Sequence, residues 1–180
     1  MSLKSTQLQY GRMAQIFHWV SAVLIILMMP LGFLMQGASD EATKLFLYQV
    51  HAIGGGAVLF LTLLRVGWRW FEPTPDPPAG LSPMHQLGLK ITHILLYVVL
   101  LGLAVSGVGL LLISGLGEIL SGAVDASIPA DFSQFSPRIV HGLTARLYIA
   151  LLLAHVGGVI LHQVTKTDVL KRMGWSLSKA

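Results

Sequence analysis

The sequence predicts an all-α membrane protein built as a bundle of four transmembrane helices. Hydrophobic residues make up 54% of the 180 residues and charged residues only 11%, whereas soluble domains carry about 25% charged residues. Four apolar runs are also long enough to cross a bilayer, which takes about 20 residues. We expect a single domain over residues 1–180, with spans at about residues 13–36, 46–70, 91–114 and 139–164.

The connections between the spans differ in character. Residues 37–45 are few and polar, and residues 71–82 contain four prolines, which predicts a stiff, non-helical link. The third span is preceded by an amphipathic approach that begins at Pro83. Residues 115–137 form the longest connection and mix apolar side chains with Asp125 and Asp131, a pattern that fits a short helix at the membrane surface.

Lysine and arginine residues predict the orientation in the membrane. One side receives nine of them and the other side two, Lys44 and Arg138, while Arg146 falls inside the fourth span. Basic residues accumulate on the cytoplasmic side. We therefore expect a multi-pass protein of the bacterial inner membrane, with both termini in the cytoplasm. The net charge of +4 follows from this topology, so we expect no nucleic-acid partner. The partner that we expect around the helices is membrane lipid.

The chain contains no cysteine, which excludes iron–sulfur clusters and covalently attached haem. It contains seven histidines, and all of them lie in or beside the spans: His18, His51, His85, His93, His141, His155 and His162. Ionisable residues inside a membrane are costly and usually functional. Imidazole is also the usual protein ligand of haem iron.

One spacing decides how the histidines pair. His141 and His155 are fourteen residues apart, which at about 100° per residue places both on one face of the fourth helix, about 21 Å apart along its axis. His51 matches the depth of His141 near the outer surface, and His18 matches the depth of His155 near the inner surface. The sequence therefore predicts two bis-histidine sites, each holding one non-covalent haem b.

Two other interpretations of these histidines remain. They can be buried side chains satisfied by hydrogen bonds, or ligands of zinc, although no cysteine or carboxylate lies nearby and the histidines divide between two depths. The glycines at positions 54–56, one turn after His51, fit close approach by a flat macrocycle as well as ordinary packing of small residues between helices.

The order and spacing of several short motifs resemble the bacterial cytochrome b561 family, which is similar to the di-haem b subunits of membrane hydrogenases and formate dehydrogenases. The resemblance covers nearly the whole chain. In that family the ligand pairs fall at the positions given above. The motifs are FHW at 17–19, VHAIGG at 50–55, LLRVGWR at 63–69, THILLY at 92–97, VHG at 140–142, AHVGGVILH at 154–162 and DVLKRM at 168–173.

The resemblance also implies a function. A member of this length resembles a superoxide oxidase, in which superoxide gives an electron to the outer haem and the inner haem passes it to ubiquinone. Such a protein is an enzyme, a superoxide:ubiquinone oxidoreductase. The alternative is a cytochrome b subunit that relays electrons between a dehydrogenase or soluble cytochrome partner and the quinone pool. A third alternative, a non-redox membrane protein, predicts a colourless preparation.

Further residues are candidates for the two substrate sites. Near the inner haem, hydrogen-bond donors for a quinone are Trp19, His93, His162, Arg12 and Lys166. Near the outer haem, Arg138 and Arg146 are candidates to bind a haem propionate or attract an anion. The outer segments carry five acidic residues against two basic ones. That balance repels an anion at long range.

Overall fold

Four long helices dominate the computed structural model, which describes residues 3–77, 80–165 and 169–175. They contain 26 to 31 residues and are about 39–47 Å long at 1.5 Å per residue, enough to cross a bilayer. The described residues form helices and no strands, so the predicted four-helix membrane architecture is confirmed. The elements are α1 (Arg12–Gly37), α2 (Glu41–Phe71), α3 (Pro83–Ile113), α4 (Leu116–Ser121), α5 (Ser136–Thr165) and a 3-10 turn (Lys171–Met173).

The helices α2 and α3 begin several residues before the apolar runs, because polar caps precede those runs. Asp40 caps α2, its side chain accepting a hydrogen bond from the Thr43 N–H at 2.9 Å. Ser82 caps α3, with Pro83 in the first helical turn. The amphipathic approach to the third span is thus its own first two turns.

The long helices pack mainly in two pairs, α1 along α2 and α3 along α5, and α2 joins the pairs by packing against α3. All four contribute to a central core of Ile25, Val58, Val99, Leu100 and Tyr148. Large apolar side chains are exposed along every long helix. In a chain that crosses a membrane such side chains face lipid, as at Phe33, Ile53, Leu112 and Leu153.

We call the two ends of the bundle outer and inner after the orientation that the sequence predicts, and the two ends are covered differently. At the outer end, α4 and the segment after it bury Leu116, Ile128 and Phe132 against Tyr48 of α2. The expected short helix is therefore present as α4. It lies between Gly115 and Gly122, which both adopt positive φ angles (71° and 75°) that suit glycine.

At the inner end, residues 3–11, 72–77 and 169–175 are held together by hydrogen bonds, and we call them the inner clasp. The Glu72 carboxylate accepts from the backbone N–H and the hydroxyl of Ser5 at 2.9 and 3.0 Å. The Asp76 N–H donates to Gln7 O at 2.9 Å, and the Tyr10 N–H donates to Arg172 O at 3.1 Å. The described part of the proline-rich link is non-helical, as its sequence predicts.

Candidate functional site

Two histidines from different helices face each other near the outer end of the bundle. His51 lies on α2 and His141 on α5, with ring centroids 6.2 Å apart and ring planes at 75°. Both side chains are partly buried. These are the two residues that the sequence paired for the outer site.

A second pair lies toward the inner end. His18 on α1 and His155 on α5 have ring centroids 6.4 Å apart and ring planes at 68°. The spacing of fourteen residues along α5 separates His155 from His141 by about 21 Å of helix. The structure thus brings together both predicted pairs, and their role as iron ligands stays a prediction.

Hydrogen bonds orient the outer pair. Nδ1 of His141 lies 2.9 Å from the carbonyl oxygen of Leu103 and 3.3 Å from the hydroxyl of Ser106, both on α3. A carbonyl oxygen only accepts, so Nδ1 carries the proton and Nε2 keeps its lone pair. Nδ1 of His51 is buried and has no hydrogen-bond partner among the described residues.

Two glycines that the sequence analysis did not single out make room for the outer imidazoles. A Cβ atom built on Gly32 of α1 would lie 3.2 Å from Cε1 of His51. One built on Gly107 of α3 would lie 3.2 Å from Cε1 of His141. By contrast, a Cβ on Gly54 would collide with the side chain of Met28, so Gly54 serves packing between α1 and α2.

The inner pair has a more polar surrounding. Arg65 of α2 donates from Nη2 to Nδ1 of His18 at 2.9 Å, and its guanidinium also lies 5.3 Å from the ring centre of Tyr97. His93 of α3 places its ring centroid 5.3 Å from that of His155. In the sequence, Arg65 counted only as one of the basic residues that predict the orientation. Its position inside the second apolar run was the signal for a functional role.

The other quinone candidates lie at different places around the inner end. Nδ1 of His93 donates to Leu89 O at 2.7 Å, which leaves Nε2 as an acceptor. Nδ1 of His162 is buried without a partner among the described residues. Trp19 already donates its indole N–H to Met173 O at 2.9 Å. Arg12 is exposed at the start of α1, and Lys166 lies outside the described residues.

The two outer arginines lie one helical turn on either side of Gly142. Nη2 of Arg138 donates to Oε1 of Gln36 at 3.0 Å and so links α5 to α1. Nη1 of Arg146 donates to Gly142 O at 3.2 Å, and the Arg146 side chain is exposed. An arginine inside a span usually pairs with a buried partner. Arg146 contacts a backbone oxygen of its own helix and stays exposed.

The pKa of one outer carboxyl group, that of Asp131, is affected by the charge of Arg138. Hydrogen bonds from the side chain and backbone of Ser133 hold the pKa of Asp131 below its usual range, and the charge of Arg138 lowers it further. Asp131 is therefore ionised at neutral pH and adds to the negative charge of the outer segments.

Comparison with known proteins shows which family the chain belongs to. The family profile described as prokaryotic cytochrome b561 matches residues 9–176, almost the whole chain. The chain belongs to the prokaryotic cytochrome b561 family. A relative, cytochrome b561 homolog 2 of Escherichia coli strain K12, is 28% identical over an alignment that covers 96% of this chain and 95% of the relative. Membership of the cytochrome b561 family implies a multi-pass membrane protein that binds b-type haem and transfers electrons.

Proposed function

We propose that this cytochrome b561 carries electrons between the outer and inner membrane surfaces through two b haems, one held by His51 and His141 and the other by His18 and His155. The spacing of the rings is the observation that carries the proposal. Two imidazoles that held one metal ion between them through metal–nitrogen bonds of about 2.0 Å, with ring centres about 1.1 Å behind each nitrogen, would have centroids about 6.2 Å apart. The pairs lie at 6.2 and 6.4 Å.

The number of ligands favours haem over a bare metal ion. Zinc takes about four protein ligands in a structural site, and the described residues contain no group of three or more His, Cys, Asp or Glu side chains placed to hold an ion. A haem would need only two imidazoles from the protein at each site. The pairs His51–His141 and His18–His155 therefore fit a haem and would leave a zinc ion short of donors.

The chain prepares the two sites differently. At the outer site the bond from His141 to Leu103 O fixes the tautomer that offers Nε2 to a metal. At the inner site Arg65 donates to Nδ1 of His18, and in a neutral imidazole this places the proton on Nε2. Binding of iron to His18 through Nε2 therefore requires Arg65 to move to another acceptor, and a haem carboxylate is a suitable one.

For the substrates, we propose superoxide at the outer surface and ubiquinone at the inner surface. Bound haem supplies reversible one-electron transfer. Two superoxide ions each lose one electron and become O₂, and the two electrons with two protons from the cytoplasm convert one ubiquinone to ubiquinol. The protein binds and orients the two substrates at opposite surfaces, so that neither has to cross the membrane.

At the inner surface, His93 and His162 are the best candidates to contact the quinone. His93 lies beside His155 and has Nε2 available to accept a hydrogen bond from a quinol hydroxyl. His162 follows His155 by seven residues, about two turns toward the inner end. Trp19 can only line the quinone site, because its N–H already donates to Met173 O. Arg12 and Lys166 are candidates to donate hydrogen bonds to a quinone oxygen or to attract anionic lipid headgroups.

One observation favours a second candidate function. The outer segments hold five carboxylates against Lys44 and Arg138, and Asp131 is kept ionised by Ser133. This surface repels anions such as superoxide at long range and attracts basic protein surfaces. A relay that receives electrons from a dehydrogenase or soluble cytochrome and delivers them to the quinone pool fits that charge better.

A single preparation tests both functions. The haem content of the purified chain is measured by a pyridine haemochrome assay, and the oxidised protein is then mixed with a pulse of superoxide. Two b haems per chain that are reduced within the pulse, followed by reduction of added ubiquinone, are expected. Two haems that are not reduced by superoxide but are reduced by a basic cytochrome partner or by quinol would support the electron-relay function instead. A colourless protein would rule out both functions.

A further inference from the structure

The guanidinium groups of Arg138 and Arg146 converge over one glycine of α5. A Cβ atom on Gly142 would lie 3.1 Å from Nη1 of Arg138 and 3.6 Å from Nη1 of Arg146. The two nitrogens are therefore within about 7 Å of each other, a spacing at which like charges repel unless an anion lies between them. A side chain at position 142 would enter this space.

The groups that contact these two cations are neutral. Arg138 donates to the amide oxygen of Gln36, and Arg146 donates to the backbone oxygen of Gly142. The first turn of α5 contains no acidic residue. Asp131 is the acidic group whose pKa responds to Arg138, but its carboxylate is bonded to Ser133. Among the described residues, no carboxylate pairs with either guanidinium.

The surroundings of the pair are apolar. Ile139, Leu143 and Leu153 lie on the adjoining face of α5, and each is more than 60% exposed. In a membrane this face meets acyl chains. Arg146 starts about 15 Å along α5 from its outer end, and its side chain bends back by one turn toward that end, as long basic side chains do when they reach for the headgroup region.

We propose that Arg138 and Arg146 clamp the phosphate of an anionic phospholipid of the outer leaflet, with the phosphate over Gly142 and the acyl chains along Ile139, Leu143 and Leu153. Guanidinium groups bind phosphate oxygens through paired N–H donors. Because Arg138 also donates to Gln36 of α1, the headgroup would lie beside this hydrogen bond between α1 and α5. This site is independent of the proposed electron transfer, since it needs neither superoxide nor ubiquinone.

Native mass spectrometry of the detergent-purified, haem-loaded chain tests the proposal, because each spectrum reports bound lipid and bound haem together. Dioleoyl phosphatidylglycerol is the probe, and dioleoyl phosphatidylcholine is the zwitterionic comparison. We expect one phosphatidylglycerol to bind more tightly than phosphatidylcholine. R138Q/R146Q should weaken that binding at least about tenfold, because two charge-assisted contacts are lost. G142V should weaken it as well, since it keeps both charges but fills the space between them.

The control is K44Q, which removes an outer basic residue away from α5 and should leave the affinity for phosphatidylglycerol nearly unchanged. Equal losses in K44Q and R138Q/R146Q would show general charge attraction and overturn the proposal. Haem loss from R138Q/R146Q with unchanged lipid binding would also overturn it, because the arginines would then hold a haem carboxylate. A wild-type chain that shows no preference for phosphatidylglycerol would overturn it directly.

Discussion

At the scale of single residues, the four histidines are expected to act as two separate pairs. The two rings of a pair are about 6 Å apart, whereas the pairs are separated by about 21 Å of α5. Removing His51 should therefore empty only the outer site, and removing His18 only the inner one. Each of the variants H51A and H18A should fall from two haems per chain to one, as counted by pyridine haemochrome.

The control for these variants is H85A, because His85 is exposed and its Nδ1 contacts only the neighbouring Ser82 hydroxyl at 2.7 Å. It should retain two haems. Retention of two haems by both H51A and H18A would contradict the assignment of ligands. The two variants should also differ in the haem that remains, so their reduced-minus-oxidised spectra should add up to that of the unchanged protein.

Gly107 is expected to be required for the outer haem. Its Cβ position lies 3.2 Å from Cε1 and 3.3 Å from Nδ1 of His141, so the larger side chain of G107V must displace that imidazole. Overpacking of this kind costs about 1–3 kcal/mol. We expect G107V to lose the outer haem and to unfold at lower temperature. The matched variant is G102V on the same helix, where a Cβ meets no atom within 4 Å; it should keep both haems.

The sequence contained enough information to pair the histidines but not to find their neighbours. Helical periodicity and depth follow from counting along one chain, and they brought His18 to His155 and His51 to His141. Lateral contacts depend on how each helix is rotated against the next. The contacts of Gly32 and Gly107 with the histidines, and the bond from Arg65 to His18, could therefore not be predicted from the sequence.

At the scale of elements, the inner clasp is held by a few polar contacts and should be the part most easily loosened. The hydroxyl of Ser5 donates to Glu72 at 3.0 Å and accepts from the Gly11 N–H at 2.9 Å. S5A removes both bonds and leaves the Gly11 N–H without its partner, a change that costs about 1–3 kcal/mol. We expect faster amide hydrogen exchange in residues 3–11 and 169–175, with little change in the long helices.

S133A is the comparison for the clasp variant, because Ser133 makes similar bonds with Asp131 at 2.8 and 2.5 Å, but in the exposed outer segment. It should leave exchange in the inner clasp unchanged. Unaltered exchange in residues 3–11 of S5A would show that the clasp does not depend on the Ser5–Glu72 contact.

The elements themselves were largely predictable, and the differences lie at their ends. Hydropathy locates only the part of a helix inside the membrane, so α2 begins at Glu41 and α3 at Pro83, five and eight residues before the predicted spans. Hydrogen-bonding caps decide those ends. The inner clasp was not predictable, because its hydrogen bonds join segments more than 60 residues apart and several of them use main-chain groups that every sequence shares.

At the scale of the whole molecule, orientation decides which substrate each histidine pair meets. The first and last described segments lie at the same end of the bundle, since Trp19 of α1 donates to Met173 O of the 3-10 turn that follows α5. Among the described basic residues, seven fall at that end, Lys44 and Arg138 fall at the other, and Arg146 lies within α5, so the inner pair should face the cytoplasm. Only in this orientation does the outer pair face superoxide made outside the cell membrane.

Reporter fusions in a Gram-negative host test this orientation. Green fluorescent protein, which folds in the cytoplasm, should fluoresce when fused after Ala180, and alkaline phosphatase, which needs an oxidising compartment for its disulfides, should be inactive there. The same phosphatase inserted after Asp125, in the outer segment, should be active. The reverse pattern would place His51 and His141 toward the cytoplasm. Superoxide from outside could not then reach that pair, and the result would favour the relay function.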